Sequence, residues 1–76
     1  MDNIKLGIYR HYKGNEYEVL GLASHSETNE PLVVYRALYG NFDWWVRPAE
    51  MWLETVDKPE LGYRGPRFTL IKETAV

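Results

Sequence analysis

Cysteine is absent from this 76-residue chain, which excludes disulfides, thiolate nucleophiles and thiolate zinc sites. Histidine occurs only twice, at His11 and His25, and neither stands near a cluster of acidic residues, so no metal site and no cofactor is expected. Long apolar runs are also missing. None approaches the length of a spanning helix or a signal-peptide core, so the expectation is a cytoplasmic protein without membrane contact. Neither sign of charge dominates. Eleven acidic and nine basic residues are interspersed to a net charge of −2, with no basic arm or acidic tail, which weighs against general affinity for nucleic acid while leaving a local basic patch open. The six glycines sit at turn-like spacings and match no phosphate-cradling motif, and there is no internal repeat.

Aromatic residues, by contrast, are plentiful: three Trp, six Tyr and two Phe. A chain this short buries only about two-thirds of the surface its unfolded form exposes, so large rings are needed to build a core from few positions. The apolar residues come in short runs rich in Val, Ile, Tyr and Trp, punctuated by Gly, Asn and Pro, which is the pattern of successive strands. Ile8–Tyr12 runs into the turn Lys13-Gly14-Asn15, and Glu16–Ala23 follows, with Gly21 as a bulge or bend. After the polar loop Ser24–Pro31, Leu32 to about Tyr39 forms a third strand, and Asp43–Arg47 a fourth that Pro48 ends. Residues 48–51 suit one helical turn, Trp52–Val56 a fifth strand, 58–66 a loop and Arg67–Lys72 a last extended segment.

This pattern predicts an all-β domain spanning residues 1–76 and ordered over about 6–72: a small SH3-like barrel of five or six short antiparallel strands, with an OB-like barrel second. Trp44 and Trp45 are adjacent, and neighbours on a strand point to opposite faces, so at least one indole should meet water. Ser26 lies one residue from His25, but adjacency in a loop supplies neither an orienting acid nor an oxyanion site, and no catalytic residue is assigned.

The ordered set Tyr9-Arg10-His11-Tyr12-Lys13-Gly14, Tyr17-Glu18-Val19-Leu20-Gly21, His25-Ser26-Glu27-Thr28, Leu32-Val33-Val34-Tyr35-Arg36-Ala37-Leu38-Tyr39, Trp45-Val46-Arg47-Pro48 and Pro66-Arg67-Phe68 resembles the bacterial domain of unknown function 1653 family, from about Gly7 to Ile71. The resemblance implies a small SH3-like barrel and no assigned activity. It places family motif positions at Arg10, His11, His25, Glu27, Tyr35, Arg36, Trp45, Arg47, Pro48, Glu50 and Met51. Members usually carry an aliphatic residue where Trp44 stands, a basic one at Ser24 and Phe at Trp52.

Aromatic and cationic residues alternate along the strands, so a barrel could present rings and guanidinium groups on one outer face able to hold an extended peptide. The expected function is a non-enzymatic binding module that contacts a protein or peptide segment through Tyr9, Arg10, His11, Tyr35, Arg36, Trp45 and Arg47. Three alternatives stay open. A nucleic-acid contact would need Arg10, Lys13, Arg36, Arg47 and Arg67 to converge, a small enzyme would need an imidazole in a cleft beside a carboxylate, and a structural subunit would use the exposed Trp as a homodimer surface. Either a monomer or a weak homodimer fits these readings.

Overall fold

The computed structural model describes residues 4–74. Seven strands follow one another: β1 (Gly7–His11), β2 (Glu16–Ser24), β3 (Pro31–Ala37), β4 (Trp44–Pro48), β5 (Thr55–Lys58), β6 (Tyr63–Pro66) and β7 (Phe68–Glu73). A single helical turn, α1 (Ala49–Trp52), separates β4 from β5, and a 3-10 turn over Pro59–Leu61 separates β5 from β6. The strands make an antiparallel five-stranded sheet of order β4-β3-β2-β1-β7 and a two-stranded ribbon of β5 and β6. The expected all-β class therefore holds, with one strand more than the five or six anticipated.

The turns form where the sequence punctuates the strands. The His11 N–H donates to the Asn15 carbonyl at 2.8 Å, closing the first hairpin, and the His25 N–H donates to Glu30 at 2.7 Å, closing the second. The third turn needs a left-handed residue, and Gly40 supplies it at φ 60°. The β2–β3 register shifts between Val19 and Gly21, so the bulge read from Gly21 is present. At the far edge, the Arg67 N–H bonds to the Glu54 carbonyl at 2.9 Å and the Tyr12 N–H to the Arg67 carbonyl at 3.0 Å, tying the start of β7 both to the segment before β5 and to the end of β1.

Three details differ from expectation. The stretch 58–66, read as loop because of its Pro and Gly, contains β6, whose Pro66 falls at the last strand position. The helical turn lies at 49–52 instead of 48–51, because Pro48 stays extended (ψ 138°) as the flanking residue. Trp52 consequently belongs to α1 and β5 begins only at Thr55. At the two ends of the described residues, Ile4 is buried and the Thr74 N–H reaches the Leu6 carbonyl at 3.0 Å.

Strand alternation sends Tyr9, Tyr17, Val19, Val33, Tyr35 and Ala37 to one interior, where Ala49 and Trp52 of α1 and Phe68 of β7 join them. The centre is aromatic. Trp52 lies flat on Phe68, with centroids 3.7 Å apart and planes 3° from parallel, and meets Tyr9 and Tyr35 edge-on at 5.3 and 4.9 Å. Gly7 is buried where β1 crosses β7. A Cβ there would run into the Lys72 carbonyl oxygen and sit 2.9 Å from the Glu73 Cα. Gly7→Ala should therefore cost about 1–3 kcal/mol, the range for an overpacked site, visible as a lower urea midpoint with an unchanged slope.

Candidate binding site

Of the seven residues singled out from sequence, five face inward and two face outward. Arg10 and Arg36 stand on the outer face opposite acidic partners in register. Arg10 Nη2 lies 3.2 Å from Glu16 Oε2, while Arg36 donates from Nε and Nη2 to Glu18 Oε1 at 3.0 and 2.8 Å. Both charges are thus spent on strand pairing.

Tyr9 and Tyr35 were expected to present their rings outward, and the structure corrects this: they are 7% and 3% exposed. Their phenol groups explain how they tolerate burial, since each hydroxyl has a partner. The Tyr9 hydroxyl accepts the Lys5 N–H at 3.1 Å and donates to the Lys5 carbonyl at 2.8 Å, pinning the N-terminal segment. Burial raises the Tyr9 pKa, partly offset by this backbone bond. The Tyr35 hydroxyl accepts Arg47 Nε at a long 3.4 Å.

The remaining three, His11, Trp45 and Arg47, come together with Tyr17, Tyr39 and Phe68 where the inner face of the sheet opens to solvent. Arg47 rests over the Phe68 ring at 5.6 Å, and His11 meets the same ring edge-on at 5.0 Å. Trp45 packs on Tyr35 and Tyr17 at 6.1 and 6.5 Å and keeps 45% of its surface in water. The Tyr17 and Tyr39 hydroxyls share a hydrogen bond of 2.8 Å, and burial followed by that bond pushes the Tyr17 pKa up to about 12.

The electrostatics of this mouth are one-sided. Burial pushes the His11 pKa below its ordinary value, and Arg67, Arg47 and Lys13 push it further, so each charge that contributes is a cation. Arg47 has no carboxylate partner among the described residues, unlike Arg67, whose Nη2 donates to Glu54 Oε1 at 2.8 Å. Arg67 Nε is nonetheless buried without an acceptor.

His11 Nδ1 accepts the Lys13 N–H at 3.1 Å, which leaves the proton of the neutral ring on Nε2. His25 does the same in its loop, accepting the Glu27 N–H at 3.1 Å. Both imidazoles therefore cap turns, and no carboxylate hydrogen-bonds either one among the described residues. Nor do three or more His, Cys, Asp or Glu side chains gather into a metal-binding group there. A recess of about 210 Å³ lies elsewhere, between Ile4, Tyr9, Trp52, Leu53, Phe68 and Leu70, but Lys5 is the only charged residue on its wall, and it holds no cluster of polar groups to select a ligand.

At the edge of the same sheet, β4 exposes Trp44, Trp45 and Val46 by 66%, 45% and 60%, so both indoles meet water and not merely one. The family described as "protein of unknown function (DUF1653)" matches residues 7–70. The chain belongs to the DUF1653 family. A crystal structure of a DUF1653 protein from Bordetella bronchiseptica is 38% identical to it, with a TM-score of 0.86 over 100% of this chain and 97% of that one. None of the curated proteins compared with the chain matches it. No helix among the described residues of this DUF1653 protein is long and apolar enough to cross a membrane.

Tyr17 and Phe68 were not singled out from the sequence as site residues, and Arg67 entered only as one of the cations a nucleic-acid contact would need. Tyr17 shares the inner face with Val19 two residues on and belongs to the core as well. Arg67 and Phe68 approach His11 only because β7 returns beside β1, a pairing between the two ends of the chain.

Proposed function

We propose that this DUF1653 domain is a non-enzymatic binding module that receives an extended segment of another protein along the free edge of β4. The observation that carries the reading is the character of that edge. Sheet edges in soluble proteins are normally blunted by charge, covering loops or irregularity, and here Trp44-Trp45-Val46 is an uncharged, solvent-exposed run followed by Arg47, which has no carboxylate partner among the described residues.

The phase of the β3–β4 ladder supports it further. The Ala37 N–H bonds to the Asp43 carbonyl at 3.0 Å, which makes Arg36–Trp44 and Val34–Val46 the pairs without mutual hydrogen bonds. The backbone donors and acceptors of Trp44 and Val46 thus point away from β3, toward an incoming strand. Such a strand would set alternate side chains beside Trp45 and Arg47 on one face and beside Trp44 and Val46 on the other. The nucleic-acid reading has less support, because two of the five cations it required, Arg10 and Arg36, are ion-paired on the opposite face.

Val46→Pro tests the proposal directly. It removes an amide that β3 does not use, on an edge strand where proline is tolerated, so the fold should persist. Titration with a blocked pentapeptide alternating valine and glutamate should slow hydrogen exchange at the Trp44 and Val46 amides of the native protein, and Val46→Pro should abolish binding. Equal binding by the proline variant would overturn strand addition, as would a native chain already dimeric through this edge in sedimentation.

A further inference from the structure

We infer that the mouth beside β4 is a carboxylate site in which Arg47 supplies the binding fork and Lys13 and Arg67 add to the surrounding positive field, so that the partner segment is acidic. This rests on the strand-addition reading, because it names the side chain such a segment would carry opposite Arg47.

Two observations point the same way. First, Arg47 is held without being neutralised. Its guanidinium lies over Phe68 at 5.6 Å and its Nε reaches the Tyr35 hydroxyl only at 3.4 Å, while no carboxylate among the described residues meets it. A guanidinium stacked on a ring keeps its in-plane donors available, and a planar fork matches a carboxylate in bidentate fashion. Second, the groups that face His11 are the rings of Tyr12, Tyr17 and Phe68 and the cations Lys13, Arg47 and Arg67, of which only Arg67 is paired with an acid among the described residues, Glu54 at 2.8 Å.

The last feature gives the site a built-in reporter. A bound carboxylate would cancel part of the cationic repulsion on His11 and raise its pKa toward the ordinary value of 6.5. By linkage, affinity for an acidic segment then rises as pH falls through the imidazole titration, because the complex takes up protons that the free protein does not hold. The second proton must go to Nδ1, so charging His11 also releases the Lys13 N–H from its 3.1 Å bond. The folded free protein behaves oppositely: its lowered His11 pKa means that acidification below 6.5 costs stability until the ring charges.

The test compares two blocked pentapeptides on the full chain, one alternating valine with glutamate and one with glutamine, while NMR follows the His11 ring and the Lys13 amide across pH. The glutamate peptide should bind tighter by about ten- to a hundred-fold, the range of a charge-assisted hydrogen bond. It should also raise the His11 pKa and shift the Lys13 amide, and Arg47→Gln should erase the difference between the peptides. Equal binding of both would overturn the carboxylate site and leave strand addition standing, whereas binding of neither would overturn both. Tighter, salt-sensitive binding of a single-stranded oligonucleotide at the same residues would replace the carboxylate by a phosphate and also overturn the inference.

Discussion

Trp52→Ala should cost the protein about 3–5 kcal/mol of stability, and Trp52→Phe should leave it about as stable as it is. A chain of 76 residues has about 4–11 kcal/mol of total stability at the usual per-residue value. Removing a buried Trp side chain costs about 3–5 kcal/mol, so the alanine variant forfeits a large part of the whole. The loss is concentrated here because Trp52 is 3% exposed and touches three other core rings, stacking on Phe68 at 3.7 Å and meeting Tyr9 and Tyr35 edge-on.

Phenylalanine behaves differently for a specific reason. The Trp52 Nε1–H is buried without an acceptor, a penalty of about 1–3 kcal/mol that phenylalanine does not carry. That relief offsets the smaller ring's lost contacts, and the two variants should differ by several kcal/mol in urea unfolding followed by circular dichroism. A phenylalanine variant as damaged as the alanine one would mean that the indole N–H is satisfied in solution.

The strands were legible wherever period-two alternation ran between clear turn residues, as in β1, β2 and β3, and even the bulge at Gly21 could be read from a glycine inside a strand. β6 was hidden because Tyr63-Arg64-Gly65-Pro66 has loop composition, and only its pairing with β5 makes it a strand. The site was half legible. Alternation correctly groups Tyr9 with His11, and Tyr35 with neither of its neighbours, but a period fixes which residues share a face without fixing which face is the interior. Tyrosine sharpens that ambiguity, having a ring suited to burial and a hydroxyl suited to water. The same limit explains why Arg36 and Arg47 looked equivalent: the register puts Arg36 opposite Trp44 and Arg47 opposite Val33, on different sides of the sheet.

That difference makes the two arginines a matched pair of probes. Arg47→Ala should weaken binding of the valine-glutamate peptide by about ten- to a hundred-fold with the fold intact, while Arg36→Ala should leave binding within about two-fold and cost stability instead. Arg36 makes its two hydrogen bonds to Glu18, a partly exposed cross-strand pair whose loss is worth about 0.2–1 kcal/mol after solvent screening. Arg47 has only its contact with Phe68 and a long bond to Tyr35 to lose, so its truncation costs the folded state about as little. What it removes is the single inward-facing cation on β4 that no acid neutralises among the described residues. Calorimetric titration of both variants, with urea unfolding in parallel, separates a binding charge from a folding charge. If Arg36→Ala abolished binding and Arg47→Ala did not, the contact surface would lie on the outer face of the sheet, where Trp44 and not Trp45 would be the aromatic that meets the partner.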